Sequence, residues 1–149
     1  MTTRVAFAAA AVCLALSACN TIPIQGKGKP EQKLDCRSAN SCQVQVSVAC
    51  FLGCYVSVDA YAVIVSVKNG KDAIAWQLPK DSTFAFAPND QGVVFDEEGK
   101  RAFRCNTEQD GRRVTCKSSD SNFAVYKYTL NVIGPLGVSG SLDPWVINN

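Results

Sequence analysis

From Gln43 onward, apolar residues recur at every second position. Val44, Val46 and Val48 alternate with Gln43, Gln45 and Ser47, Val56 and Val58 with Ser57 and Asp59, and Val63, Val65 and Val67 share a face opposite Ile64 and Ser66. A period of two is that of a half-buried strand, whose successive side chains point to opposite faces. Ile74, Trp76 and Leu78 continue the pattern, Phe84 with Phe86 and Val93 to Phe95 give two short strands, and Tyr126 to Ile133 gives one long strand. No stretch carries a helical period of convincing length. Short strands separated by turn signals every 8 to 12 residues describe an all-β domain, a sandwich or a small barrel. We expect a small immunoglobulin-like β-sandwich stabilised by disulfides.

Turn residues sharpen the expectation. Placing Asn69-Gly70 at the tip of a two-residue hairpin pairs Val67 with Asp72, Val65 with Ile74 and Val63 with Trp76. Asp110-Gly111 treated the same way sets Cys105 opposite Cys116, and a three-residue loop Phe51-Leu52-Gly53 sets Cys50 opposite Cys54 and Val48 opposite Val56. Opposed strand residues lie within the Cα separation that a disulfide accepts. By elimination Cys36 pairs with Cys42. Six cysteines allow fifteen pairings, and a swap among Cys36, Cys42, Cys50 and Cys54 is the alternative. An even set of cysteines in an exported chain points to an oxidising compartment and structural bridges.

Export is indicated by the first residues. Arg4 precedes twelve apolar residues, Val5 to Leu16, too few for the roughly 20 that span a bilayer as a helix. The segment ends Leu16-Ser17-Ala18-Cys19, which resembles the lipobox of bacterial lipoproteins. That resemblance implies a signal peptide over 1–18 and diacylglycerol on the Cys19 sulfur, with a plain secretory signal as the alternative. Two or three acyl chains anchor stably where one does not. Asn20 is not the Asp that resembles an inner-membrane retention signal, so the outer membrane is expected. Residues 19–35, with Pro23, Gly26, Gly28 and Pro30, read as the lipidated Cys and a flexible tether, and residues 36–149 as the sandwich domain.

Composition removes several function classes. The 149 residues include no His, which excludes imidazole triads and the commonest metal ligand. Fifteen Lys and Arg against thirteen Asp and Glu leave +2, far from the basic field that nucleic-acid binding needs. No catalytic residue, metal or cofactor is expected. Cys50 and Cys54 resemble the C-x-x-x-C pair of certain periplasmic copper chaperones, which keeps a thiol-redox or Cu(I)-binding protein as an alternative. Those chaperones add a His absent here, and the chain's single Met is Met1.

Remaining features each have a bland and a functional reading. Asp90, Asp96, Glu97 and Glu98 lack the alternating ligands of a calcium loop and read as a solvated turn. Arg101, Arg104, Arg112, Arg113 and Lys117 gather around one hairpin, as charged strand exteriors or a basic face. Gly137-Val138-Ser139-Gly140-Ser141 lacks nucleophile-elbow spacing and reads as a loop. Trp145 is either a core plug that closes the sandwich and ties down the C-terminus or an exposed anchor for a partner, and the core is expected. Phe51 and Leu52 at a hairpin tip, with Arg112 and Arg113, are the candidate partner contacts.

Residues 36–149 also resemble small exported bacterial β-sandwich proteins of unassigned function, through Ile74-x-Trp76-x-Leu78-Pro79, Phe103-Arg104-Cys105, Tyr126-Lys127-Tyr128-Thr129 and Leu142-Asp143-Pro144-Trp145. The resemblance implies a fold and no site. The expected function is a membrane-anchored envelope lipoprotein without enzymatic activity that binds an envelope protein as inhibitor, immunity-type partner or secretion accessory. A structural envelope component is the other alternative.

Overall fold

The computed structural model describes residues 24–25, 32–39, 41–50, 54–66, 73–108, 110–119 and 122–149. The signal segment, Cys19, Phe51, Leu52 and the Asn69-Gly70 turn lie outside them. Two sheets account for nearly all the described regular structure. The first contains β1 (Ile24–Gln25), β2 (Lys33–Asp35), β5 (Ala62–Val65), β7 (Ala85–Phe86), β8 (Val93–Phe95), β11 (Ala124–Ile133), β12 (Ser139–Leu142) and β13 (Trp145–Asn148). The second has the order β4 (Cys54–Val58), β3 (Ser41–Cys50), β6 (Ala73–Gln77), β10 (Arg113–Ser118), β9 (Phe103–Thr107). One helical turn, α1 (Gly99–Ala102), joins them. The chain is an all-β, disulfide-stabilised sandwich.

β11 organises the first sheet. Its inward residues Tyr126, Tyr128, Leu130 and Val132 are buried, while Lys127 and Ile133 face outward. Along one edge it pairs with β12 and β13 in a single register, Leu130 opposite Leu142 and Ala124 opposite Asn148. These two strands are one antiparallel arm interrupted at Asp143-Pro144, where proline has no N–H to give. The ladder is bridged there by Tyr128 N donating to Pro144 O at 3.1 Å and Thr129 Oγ1 donating to Asp143 Oδ1 at 2.7 Å. The other edge of β11 pairs with β7 and β8.

Between the sheets lies one core, to which Trp76 from β6 and Tyr128 from β11 contribute the two largest fully buried side chains. Phe95 stacks on Phe103 with centroids 4.4 Å apart, and Phe103 meets Tyr126 edge-on at 5.4 Å. Each such burial contributes on the order of 1.5–3 kcal/mol.

The expected strands at Val44, Val56, Val63, Ile74, Phe86, Val93 and Tyr126 are present, but their pairing differs in one place. Val63 and Val65 do not face Trp76 and Ile74. β5 pairs in parallel with β13 and β2, whereas β6 pairs in parallel with β3 and antiparallel with β10. Both strands are interior to different sheets, and each needs partners on both edges. A hairpin assumes that neighbours in sequence are neighbours in the sheet, a rule that fails in roughly a third of cases.

Two further expectations are corrected. Residues 19–35 are not all tether: Ile24–Gln25 and Lys33–Asp35 are parallel strands, on β12 and β5. Gln32 O also accepts from Tyr61 N at 2.8 Å, so the folded part begins before Cys36. A three-residue edge strand with one inward side chain, Leu34, is too short to leave a periodic signal. Ser139 to Ser141 is not loop but part of β12, its small residues packing beside β1 and β11.

Candidate functional site

The hairpin of β9 and β10 is built by its turn. Gly111 takes φ +67, the left-handed region that favours glycine, and Arg112 N donates to Asp110 Oδ1 at 3.0 Å. Beyond the turn, Arg113 lies between two partners, its Nε 3.1 Å from Glu108 Oε1 and its Nη1 3.3 Å from Gln77 Oε1. Gln77 Nε2 donates in turn to Arg112 O and Leu78 O. Arg112 reaches the Ser82 carbonyl at 3.4 Å. Arg112 and Arg113 are therefore half-buried and held, as parts of a polar surface spanning β6, β9 and β10.

The other basic residues do not join them. Arg104 faces Lys117 across the ladder at the far end of the hairpin, about 13 Å along the strand from Arg113. Arg104 Nη1 is turned onto the Lys100 carbonyl at 2.6 Å. The basic cluster expected around one hairpin is thus two separate groups.

All six cysteines of the described residues are bonded in the expected pattern, Cys36 to Cys42, Cys50 to Cys54 and Cys105 to Cys116. Cys105 and Cys116 are cross-strand partners with Cα atoms 3.9 Å apart, and Cys50 and Cys54 are partners at 4.0 Å. Cys36, Cys42 and Cys116 are buried, whereas Cys50 is exposed where β3 leaves the described residues toward Phe51 and Leu52. The swap among the first four cysteines does not occur.

The acidic group is used locally. Asp96 accepts from Gly99 N at 2.8 Å and from Lys127 N at 3.1 Å, one bond to each carboxylate oxygen. Glu97 pairs with Lys100 at 2.6 Å, and that ammonium lowers the Glu97 pKa. Among the described residues no group of His, Cys, Asp or Glu is arranged to hold a metal ion. Asp35 is gripped by Arg37, whose Nε lies 2.9 Å from Oδ1, and its carboxyl falls to about 2. Burial pushes the Tyr128 hydroxyl well above its ordinary value. Trp145 is not the expected core plug: it is half-buried on β13 opposite the outward-facing Lys127, whose Nζ lies 4.4 Å over its ring in a cation–π contact.

The connection from β11 to β12, Pro135–Gly137, puts Leu136 fully into solvent at φ 59, and Ile133 beside it is 40% exposed. A leucine in the left-handed region costs about 1 kcal/mol relative to glycine or asparagine. A shallow cleft of about 270 Å³ adjoins it, lined by Ala87, Val132, Ile133 and Gly140 with Asn131, Ser139 and Ser141. The available signal was an apolar residue between Pro and Gly where turns carry polar ones. A second cleft, about 220 Å³, lies between β8 and β9 over Val94 and Cys105, rimmed by Asp90, Lys100 and Arg104.

No protein-family model matches this chain, and neither does any curated protein sequence.

Proposed function

We propose that this chain is a lipid-anchored protein of the bacterial envelope that presents a rigid sandwich to a protein partner, without catalysis of its own. The observation that carries the reading is the fixed polar surface around Arg113. A guanidinium already held by Glu108 and Gln77 loses little side-chain freedom when it meets a carboxylate of a partner, and such preorganisation converts contacts into affinity. Arginine is also the charged residue most often dominant in protein interfaces. The lipobox resemblance at Cys19 supplies the anchor and the outer membrane the compartment.

The test places a photo-crosslinking amino acid at Arg112 in cells that make the full chain. One discrete protein adduct is expected, and it should fall at least tenfold when Arg113→Glu reverses the charge. An absent adduct, or one indifferent to Arg113→Glu, overturns the reading. Acylation is tested separately by intact mass, with Cys19→Ala as the unlipidated control.

A further inference from the structure

The first sheet orients the anchor. β1 pairs with β12 in parallel, Ile24 opposite Gly140 and Gln25 opposite Ser141. Because the pairing is parallel, the chain upstream of Ile24 leaves the sheet at the end where β12 begins. That is the end of the Pro135–Gly137 turn. Four residues, Asn20 to Pro23, separate Cys19 from Ile24, and a fully extended chain crosses that distance in at most about 18 Å. An acyl group on Cys19 therefore holds this end of the sandwich against the bilayer and not the other.

The surface at this end suits that neighbour. From Tyr128 to Leu142 fifteen consecutive residues carry no charge, in a chain that is 19% charged. Within that run Leu136 projects completely, with Ile133 exposed beside it and Pro135 next in the turn. Uncharged backbone and a projecting leucine enter an interfacial region without desolvating an ion. Phe123 and Val125 are also exposed, but they lie at the opposite end of the ten-residue strand β11, roughly 30 Å away. A bilayer met end-on at the Pro135–Gly137 turn leaves them clear of the lipid, whereas one lying flat along β11 would meet both ends, which makes them an internal control on the orientation.

We propose that the Pro135–Gly137 turn rests on the phospholipid surface, with the Leu136 side chain inserted at the boundary between the headgroups and the acyl chains. The proposal rests on the lipoprotein reading of Cys19 and goes beyond it by fixing which face of the domain meets the membrane. The hairpin at Arg112 then lies beside the bilayer and not away from it, since Phe86 N donates to Gly111 O while Phe86 pairs with Val132.

The experiment uses the full chain, processed in cells and reconstituted in vesicles of phosphatidylethanolamine and phosphatidylglycerol. A photo-crosslinking residue replaces Leu136 in one sample and Phe123 in another, and phospholipid adducts are counted by mass. At least tenfold more lipid adduct at 136 than at 123 is expected. Equal yields on a chain whose Cys19 is acylated overturn the proposal alone, as does an adduct at 136 to a second copy of the chain. An unacylated Cys19 in the same mass spectrum overturns the lipoprotein reading and the proposal with it. Hydrogen exchange gives a readout free of the crosslinker. On vesicles the amides of Leu136 to Ser139 should exchange about tenfold more slowly than in the Leu136→Asn variant, which keeps a residue suited to φ 59. Equal rates would overturn the contact.

Discussion

The indole Nε1 of Trp76 donates a hydrogen bond to the Tyr128 hydroxyl at 3.0 Å, joining the two sheets at the centre of the core. The rings lie 5.0 Å apart, and both side chains are essentially inaccessible. Tyr128→Phe keeps the packing but strands a buried indole N–H. A loss of about 1–3 kcal/mol is expected, because the buried donor forfeits its partner without regaining water. Chemical denaturation should show an unchanged slope and a lower midpoint; an unchanged midpoint would show that the bond contributes nothing.

Much of this core was legible in the sequence, and the reason is local. Tyr126, Tyr128, Leu130 and Val132 alternate with outward residues, and alternation names the inward face whichever strand lies alongside. The Cys105 to Cys116 and Cys50 to Cys54 registers were legible because a tight turn fixes them over a few residues. The partner of β5 was not, since Val63 meets Val146 from the far end of the chain, and no local pattern encodes that distance. Arg112 and Arg113 were legible as charges, but their clamp needed Gln77 and Ser82 from another strand and loop. Leu136 was not legible because its interest lies in conformation and exposure together, and neither leaves a periodic signal in the sequence.

Gly134 meets Phe84 where β11 ends. A Cβ at Gly134 would stand 2.2 Å from Phe84 Cε1, although the backbone there, φ −111 and ψ −174, suits any residue. The conflict is therefore purely steric. Gly134→Ala should destabilise by about 1–3 kcal/mol, as overpacking does. In combination with Phe84→Ala much of that loss should vanish, a coupling that a double-mutant cycle reads directly. Simple additivity would contradict the contact.

The pH response of the segment around Cys36 follows from Asp35. Arg37 lowers its carboxyl to about 2, below the roughly 3.9 of an unfolded chain. A depressed folded pKa stabilises the fold above the unfolded value, so this contribution is complete above about pH 4. It is lost as pH falls through about 2. Both side chains are about half exposed, so the effect on global stability is small and falls with salt. Carboxyl-carbon NMR should find Asp35 titrating near 2, and Arg37→Gln should return it toward the ordinary range. An ordinary value in the parent chain would exclude the ion pair in solution.

The three disulfides should open in a fixed order. Reduction requires a thiolate to reach a sulfur along the S–S axis, so access governs the rate. Cys50 is exposed and Cys54 half-buried, while Cys36 and Cys42 are 3% and 2% exposed, and Cys116 is fully buried with its partner Cys105 half-buried. Rising reductant followed by alkylation and peptide mapping should therefore label Cys50 and Cys54 first, with the fold retained. The Cys50→Ser, Cys54→Ser variant should also lose less stability than Cys105→Ser, Cys116→Ser. It opens a sequence separation of 4 against 11, which chain entropy alone values at a difference of about 1 kcal/mol, and it exposes no core sulfur. If that variant melts like the parent but loses a copper-binding or thiol-exchange activity, the pair is a reactive site and the protein-binding reading gives way to a redox one. If Cys36 or Cys105 is labelled first, access does not set the order, and the burial of those bridges is wrong.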